Sequence, residues 1–220
     1  MARLTRIVVP GVAHHVTQRG NRRSDVFFSD NDYKLYLKLL QEYNKTYRLK
    51  IWAYCLMSNH IHMIIVPESE ESLAKSLRAA HTRLALYINR AQGWSGHLWQ
   101  NRYFSCPLDD SHLWVAIKYV ELNPVRAGIV KNAEDYAWSS AKAHIRKQAD
   151  PVLSMDCPLI ETIVDWQEWL REGVPSELIT DIRKSTKTGR PLGNEDFVIR
   201  IEKSLSRILR PKKRGRPKNE

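Results

Sequence analysis

The amino-acid sequence predicts an α+β fold in which short strands and helices alternate. Four separate stretches are apolar, or alternate between apolar and polar residues, which is typical of strands. Between them, apolar residues recur at intervals of three and four, which is typical of helices. With 220 residues, 43% of them hydrophobic, the chain is long enough for one domain of catalytic size and a smaller appendage.

The first half of the chain predicts a strand, a helix and a strand pair. Residues 12–18 (VAHHVTQ) are the first predicted strand, and the basic turn RGNRR follows them. Residues 29–47 begin with capping residues and place leucines at helical spacing, which predicts a helix. Residues 49–57 and 60–67 are separated by two residues only, which predicts an antiparallel hairpin.

The next elements complete a recognisable order. Residues 71–92 predict a helix that Gly93 ends, residues 96–108 an aromatic-rich strand, and residues 110–123 a helix before Pro124. The first six elements have the order βαββαβ of a ferredoxin-like or RRM-like domain. We therefore expect a four-stranded antiparallel sheet with two helices on one face, the other face open, and the seventh element near the sheet.

The C-terminal extension is predicted to be mainly helical, and its charge is uneven. Residues 150–182 carry one basic and eight acidic side chains, whereas residues 183–220 carry 13 basic and four acidic ones. We expect two basic surfaces joined by an acidic segment that faces away from a polyanion. The predicted helices span residues 138–148, 158–171, 175–185 and 195–209.

Composition excludes several classes of protein. A net charge of +11 and a pI near 9.7 favour a polyanionic partner, with nucleic acid ahead of a membrane surface. Three cysteines lie about fifty residues apart without a CxxC pair, so neither a disulfide framework nor a zinc ribbon is expected. The N-terminal residues lack the unbroken apolar stretch of a signal peptide, and no apolar run approaches the roughly 18 residues of a membrane span. We expect a cytoplasmic, nucleoid-associated protein.

Two histidines, His60 and His62, interrupt the apolar run NHIHMII at residues 59–65. Because alternate residues of a strand share a face, both imidazoles project to one side, while Ile61 and Met63 point to the helices. Two imidazoles placed in this way are able to bind one metal ion. The alternative is a half-exposed strand with two surface histidines.

A second pattern, YVELN, places Tyr119 and Asn123 four residues apart, on one face of a helix. A phenol and an amide oxygen would then face one site. Alternatively, Tyr119 is a core tyrosine and Asn123 caps a helix that starts at Pro124.

Together these residues predict a site for phosphoryl chemistry. A divalent cation bound by two imidazoles and an amide oxygen keeps open coordination positions for a substrate. Such a cation offsets the negative charge of a phosphate. A tyrosine nucleophile keeps the cut end as a phosphotyrosine, whereas water would hydrolyse the bond irreversibly. The combination indicates strand transfer and not digestion.

The same motifs carry a resemblance to a known group. NHIHMII resembles the His-hydrophobic-His motif of HUH single-strand endonucleases, and KYVELNPVRAGIV resembles the single-tyrosine motif of Y1 transposases. HHVTQRGNRR, LWQNRYFS and DYAWSS are similar to segments of the REP-associated tyrosine transposases, an IS200/IS605-like group. The resemblance covers about residues 5–145.

The resemblance implies a ferredoxin-like catalytic core that cleaves single-stranded DNA near a REP-type hairpin through a 5′-phosphotyrosine. It gives Tyr119 the place of the nucleophile, and it gives His60, His62 and Asn123 the places of the ligands of Mg²⁺ or Mn²⁺. Many IS200/IS605 relatives have glutamine at the third ligand position, so the shorter Asn123 departs from their pattern.

Basic and polar residues near these motifs are candidates for DNA contacts. Trp99 is either a base-stacking residue or a core residue, and Gln100 follows it. Arginines and asparagine suit phosphates and base edges. The candidates are Arg19, Asn21, Arg22, Arg23, Arg102 and Arg126.

The C-terminal end is a separate candidate for binding nucleic acid. KKRGRPK, residues 212–218, resembles an AT-hook, in which Arg214 and Arg216 would follow the minor groove of an AT-rich duplex. Residues 188–209 are either part of a helix-turn-helix or an ordinary basic amphipathic helix. The predicted domains are a catalytic domain (1–148), an acidic helical connecting segment (149–185) and a basic DNA-binding tail (186–220).

Two further functions compete with strand transfer. The chain would be a binding module if it recognised REP hairpins, or regulated nearby transcripts, without cutting. A replication initiator or relaxase would use the same chemistry, but the ELNPVRAG match and the lack of a helicase-like region disfavour it. The sequence leaves open whether the protein is a monomer or a homodimer.

Overall fold

A computed structural model describes residues 6–210 of the chain. Its centre is one four-stranded antiparallel sheet with the strand order β2-β3-β1-β4. The strands are β1 (His14–Arg19), β2 (Leu49–Met57), β3 (His60–Pro67) and β4 (Phe104–Pro107). With helices α1 (Asp30–Tyr47), α2 (Ser72–Gln92) and α3 (Asp110–Glu121), the element order is the predicted βαββαβα. The predicted α+β, ferredoxin-like class is confirmed.

Local sequence explains where the first two helices begin and end. Ser29 and Asp32 form a reciprocal capping box at the start of α1, which satisfies amide groups that the helix leaves unpaired. Gly93 ends α2 in a left-handed conformation (φ 66°), which glycine adopts without a steric cost.

One face of the sheet packs against α1 and α2 as expected. Ile61 and Met63 of β3 are fully buried there, with Tyr36 of α1 and Leu77 of α2 in the same cluster. Burial of this kind stabilises the fold by about 25 cal/mol for each Å² of apolar surface removed from water. The apolar positions of NHIHMII therefore attach β3 to the core.

The second face of the sheet was expected to be open, and that expectation was wrong. Ile64 of β3 and Cys55 of β2 are fully buried on this face beneath Ala116 and Val120 of α3. The reason is visible in the near-continuous apolar run of β3, since a strand that is apolar on both faces is covered on both. Among residues 6–210, a cleft remains at the end of this face that carries His60 and His62.

Strand β4 is shorter than predicted. The residues before it do not continue the strand, but hold the basic turn through backbone bonds from Asn21 N to Leu98 O and from Gln100 N to Arg19 O. Trp99 is buried, and its indole donates to the carbonyl of His81 at 3.3 Å. Trp99 is therefore a core residue.

The C-terminal region is helical as predicted, with different boundaries. The helix predicted over 158–171 is two helices, because Asp165 lies between them in an extended conformation and caps the second. The helix predicted over 195–209 ends at Ser204. The helices are α4 (Asn123–Arg126), α5 (Ala141–Arg146), α6 (Pro158–Thr162), α7 (Trp166–Arg171), α8 (Ser176–Thr188) and α9 (Glu195–Ser204).

A buried carboxylate joins α3 to α5 and α7. Glu121, at the end of α3, is fully buried and accepts hydrogen bonds from Trp166 Nε1 (2.8 Å), Ser140 Oγ (2.5 Å) and His144 Nδ1 (2.6 Å). A buried carboxylate is tolerated when its oxygens are satisfied in this way. The network fixes the end of α3 that carries Tyr119.

Helix α8 begins in the acidic segment 150–182 and ends in the basic segment that follows it, and it packs beside β4 and β1. In the part of the chain that the structure describes, no helix is long and apolar enough to cross a membrane.

Candidate active site

A cleft of about 630 Å³ opens at the uncovered end of the second sheet face. Its walls come from β1, β3, α3, α4 and α8, so residues distant in sequence meet there. Five basic side chains line the cleft, and none of the described residues that line it is acidic. The basic residues are Arg19, Arg23, Arg126, Arg183 and Lys187.

The two histidines of the HxH motif lie side by side in this cleft. His60 and His62 have ring centroids 5.0 Å apart with nearly perpendicular planes. Each ring has its Nδ1 atom in a hydrogen bond: with Asn59 Oδ1 at 2.6 Å for His60, and with His15 Nε2 at 2.9 Å for His62. Neither Nε2 atom bonds to a described residue.

Both imidazoles are neutral at physiological pH. Burial, reinforced by Arg19 and Arg126, lowers the pKa of His60 to about 4. Burial and the neighbouring His15 and His60 lower the pKa of His62 well below its ordinary value. A neutral imidazole whose Nδ1 donates a hydrogen bond presents a free lone pair at Nε2, which is the form that binds metal ions.

Tyr119 lies against the ring of His62, and its side chain is almost fully buried. Its ring meets those of His62 and His15 edge-on, at centroid distances of 5.4 and 5.6 Å. The guanidinium of Arg126 covers the ring, and Arg183 Nε donates to the hydroxyl at 3.4 Å. One chain therefore brings the tyrosine, the histidine pair and two cations together.

Asn123 also lines the cleft, but its side-chain oxygen, unlike the Nε2 atoms of the histidines, already has a hydrogen-bond partner. Helix α3 ends at Glu121, and Asn123 begins the short helix α4 after a break at Leu122. Its Oδ1 accepts a hydrogen bond from Arg126 Nη2 at 3.3 Å, while its buried Nδ2 has no partner among the described residues. As placed, the oxygen that would bind a metal ion faces a cation.

The histidine pair fits a divalent cation better than Asn123 does. Among residues 6–210, no group of three or more His, Cys, Asp or Glu residues is placed to hold a metal ion. The two free Nε2 atoms and the neutral rings provide two nitrogen ligands. Further ligands would come from water, from phosphate oxygens, or from Asn123 after exchange of its bond to Arg126.

The predicted DNA-contacting residues fall into three groups. Arg19, Arg23 and Arg126 line the cleft, and so does Gln100. The others within the described residues are exposed on the surface beyond the cleft lining: Asn21, Arg22 and Arg102. The AT-hook-like segment with Arg214 and Arg216 lies outside the described residues.

The basic turn at residues 19–23 has an unusual backbone. Arg22 and Arg23 both have positive φ, 54° and 64°, which is uncommon for residues with a side chain. The turn is held by Asn59, whose Nδ2 donates to Arg23 O at 3.1 Å, directly before His60. Asn59 therefore connects the basic turn to the start of the strand that carries the histidine pair.

Several cleft residues, Lys187 among them, were missed from the sequence. His15 precedes the basic turn in an HH pair, and strand alternation alone could have placed it with Thr17 on one face, but the pairing of β1 with β3 was needed to bring it to His62. Arg183 and Thr186 lie in α8, and no local signal connects them with a site more than sixty residues earlier.

Comparison with known proteins is consistent with this geometry. Residues 8–123, just over half of the chain, match the family model described as "Transposase IS200 like". A Haemophilus influenzae protein described as a REP-associated tyrosine transposase is 24% identical over 116 residues; the match covers 48% of this chain and 66% of that protein, slightly less than two thirds of its length.

A solved structure, that of a REP-associated tyrosine transposase bound to a REP hairpin, superposes on the chain with a TM-score of 0.57. The identity is 21%, and the superposition covers 71% of this chain and 93% of the other. At this identity the likeness concerns the fold.

Proposed function

The chain belongs to the family of IS200-like transposases, and we propose that it is a metal-dependent, site-specific endonuclease and strand transferase of single-stranded DNA. The observation that carries the proposal is the position of Tyr119, against the neutral ring of His62 and beside two arginines, in a cleft that also holds His60 and is lined by basic side chains. Such a site suits a phosphodiester, because it has a nucleophile, uncharged metal ligands and cations for the phosphate.

In the proposed reaction, the hydroxyl oxygen of Tyr119 attacks a phosphorus atom of the strand. The new bond between this oxygen and phosphorus forms as the bond to the 3′ oxygen breaks. The tyrosine gives up its proton to solvent, and the 3′ oxygen gains one, which leaves a 5′-phosphotyrosine and a free 3′-hydroxyl. Attack by another 3′-hydroxyl reverses these steps and joins a new strand.

The residues around Tyr119 have distinct tasks in this proposal. Arg183 and Arg126 favour negative charge on the phenol oxygen and on the phosphate. His60 and His62 would hold Mg²⁺ or Mn²⁺, which supplies Lewis-acid stabilisation of a non-bridging phosphate oxygen.

We infer that the substrate is a REP-type hairpin with a single-stranded flank. Two similarities support this: the relative in Haemophilus influenzae is described as REP-associated, and the superposed structure contains a REP hairpin. In the proposal, the exposed residues Arg22 and Arg102 contact DNA beyond the cleft, and the tail after residue 210 contributes AT-rich duplex binding.

A hairpin-binding protein without nuclease activity is the second candidate. It is favoured by the Asn123 oxygen, which bonds to Arg126 and is not free to bind a metal ion. In that case the basic cleft would hold DNA, and the tyrosine would remain unreacted.

A covalent-adduct assay separates the two functions. The full chain is incubated with end-labelled single-stranded hairpin DNA and Mn²⁺ or Mg²⁺, and denaturing gels are used to detect protein bound to DNA. We expect an adduct with the wild type and none with Tyr119→Phe, which should still bind the hairpin within about 1 kcal/mol. The matched control is Tyr87→Phe, an exposed tyrosine on α2. Tight hairpin binding by the wild type without any adduct would reject the catalytic proposal.

A further inference from the structure

A chain of three buried hydrogen bonds runs from helix α8 to the histidine pair. Thr186 Oγ1 contacts the carbonyl oxygen of Ile182 at 2.7 Å, one turn earlier in the helix. The same hydroxyl lies 2.7 Å from His15 Nδ1, and His15 Nε2 lies 2.9 Å from His62 Nδ1. Thr186, His15 and His62 are 3%, 1% and 6% exposed, so solvent offers no competing partners.

The direction of each bond follows from the number of protons available. A hydroxyl has one proton, and a 2.7 Å contact between two oxygens requires that proton to lie between Thr186 and the Ile182 carbonyl. Thr186 Oγ1 is therefore an acceptor for His15, so the Nδ1 of His15 carries a proton.

The same reasoning continues through the two rings. His15 is buried, and no acidic residue among the described ones lines the cleft to pair with a charged imidazole, so the ring is neutral and its Nε2 has a lone pair. That lone pair accepts a hydrogen bond from His62, which places the proton of His62 on Nδ1. The two rings are nearly parallel, with an interplanar angle of 4°, which allows the bond to lie near the plane of both. The remaining nitrogen of His62, Nε2, is then free of a proton.

We propose that His15, supported by Thr186, is a positioning residue that fixes His62 in the tautomer with its free lone pair at Nε2. The inference rests on the proposed function, because the lone pair is used by a divalent cation. His60 has an analogous support in Asn59 Oδ1, which lies next to it in sequence. The support for His62 comes instead from a helix that begins more than a hundred residues later.

The neighbouring Cys106 is compatible with this arrangement. Its Sγ lies 3.3 Å from Thr186 Oγ1, where the thiol is able to donate to the second lone pair of the hydroxyl oxygen. The hydroxyl would then donate once and accept twice. If the hydrogen bonds ran in the opposite direction, Thr186 would donate to His15, and the 2.7 Å contact with the Ile182 carbonyl would have no proton. His15 would then donate to His62, and the proton of His62 would lie on Nε2.

The test compares Thr186→Val with Thr186→Ser in the full chain. Valine keeps the shape of threonine but removes the hydroxyl, and serine restores it. The matched control is Thr188→Val, an exposed residue of the same helix whose hydroxyl bonds only to backbone carbonyls. Circular dichroism and thermal unfolding verify that each variant is folded.

The first measurement is ¹⁵N NMR of the histidine side chains without metal or DNA. We expect the Nδ1-protonated tautomer for His62 in the wild type, in Thr186→Ser and in Thr188→Val, and a mixture of tautomers in Thr186→Val. Nε2-protonated His62 in the wild type, or an unchanged spectrum in Thr186→Val, would overturn the proposal.

The second measurement is Mn²⁺ binding followed by electron paramagnetic resonance. Loss of a hydrogen-bond partner behind a metal-binding histidine weakens binding by about 10- to 100-fold, and we expect this for Thr186→Val alone. Equal Mn²⁺ affinity in Thr186→Val and wild type would reject the positioning role. Failure of the covalent-adduct assay would instead concern the proposed function, since neither measurement here involves DNA cleavage.

Discussion

Arg126 contacts Tyr119 in two ways. Its guanidinium carbon lies 4.2 Å from the centroid of the phenol ring, and its Nη1 donates to the Tyr119 carbonyl at 2.7 Å. A planar guanidinium is able to stack and to donate at the same time, whereas a lysine ammonium is not. The same side chain also reaches Asn123 Oδ1, so it joins the nucleophile to the candidate third ligand.

Replacement of Arg126 by lysine should therefore reduce the rate of adduct formation although the charge is kept. We expect a decrease of about 10- to 100-fold, because loss of two contacts that order the nucleophile costs on the order of 1–3 kcal/mol. Single-turnover adduct kinetics measure this rate. The control is Arg78→Lys, because Arg78 is an exposed residue of α2, which packs on the other face of the sheet. A normal rate in Arg126→Lys would show that charge alone is required.

Arg183 and Lys187 should contact the DNA backbone directly. Both line the cleft from α8, and removal of either charge by substitution with glutamine should weaken hairpin binding and lower the salt slope of log K by about 1. Fluorescence anisotropy titrations at several salt concentrations determine the slope. Lys184→Gln, in the same helix but not in the cleft lining, should leave the slope closer to wild type. If all three variants had the same salt slope of log K, we would conclude that α8 does not contact the DNA.

Gly20 should not tolerate a side chain. A methyl group built there would overlap the carbonyl oxygen of Ser24 and lie 2.8 Å from Val26 Cγ1, so the basic turn would have to move. We expect Gly20→Ala to lower the free energy of unfolding by about 1–3 kcal/mol, as in other overpacked sites, and to weaken hairpin binding. Urea unfolding and hairpin titrations measure both effects. Asn21→Ala, an exposed neighbour, should leave stability unchanged, and equal stability of Gly20→Ala would contradict the tight turn.

Acid should destabilise the fold through its buried histidines, which include His14 and His81 outside the histidine pair. Burial lowers the pKa values of His14 and His81 to about 4 and about 3, whereas both titrate near 6.5 in the unfolded chain. The unfolded state therefore binds more protons below about pH 6.5, and stability falls as pH decreases toward 4. The slope is at most about 1.4 kcal/mol per pH unit for each histidine.

Urea unfolding at pH 7, 6 and 5 measures this dependence. His81→Gln retains an acceptor for the Tyr36 hydroxyl, which lies 2.8 Å from His81 Nε2, and should reduce the proton uptake on unfolding by about one. The same pH dependence in wild type and His81→Gln would assign the effect to other groups.

The tail should contribute AT-rich duplex binding that is independent of the cleft. Deletion of residues 211–220 removes five basic side chains and should weaken duplex binding and flatten its salt dependence. Competition between AT-rich and GC-rich duplexes measures the preference. The adduct yield on hairpins at saturating protein should stay near wild type, and unchanged duplex binding after the deletion would argue against an AT-hook.

Local patterns in the sequence predicted the parts of the site that lie within one element. Strand alternation placed His60 and His62 on one face, and helical spacing placed Tyr119 near Asn123; all four line one cleft. The bounds of β2 and β3 were predicted to the residue, because the two-residue connection leaves little freedom. The side of the sheet on which α3 packs was not predicted, since it depends on contacts between distant segments.

Long-range contacts also explain why the outer parts of the site were missed. His15 reaches His62 only through the register of β1 on β3, and Thr186 lies 171 residues after His15. Helix α8 straddles the predicted boundary between the acidic segment (150–182) and the basic segment (183–220), and its cleft-lining residues Arg183 and Lys187 lie on the basic side. Charge composition indicated a basic segment there, but not that this segment meets the sheet beside Tyr119.

The position of α8 in the cleft has a consequence for the order in which the protein is made. A ribosome releases β1, β3 and Tyr119 long before it reaches Arg183 and Thr186. Domains fold from the N-terminus during synthesis at about 5–20 residues per second, so the sheet is able to form while this wall of the cleft is still untranslated. A nascent chain therefore carries the tyrosine before its full set of cations, and the cleft is completed only after α8 has been synthesised.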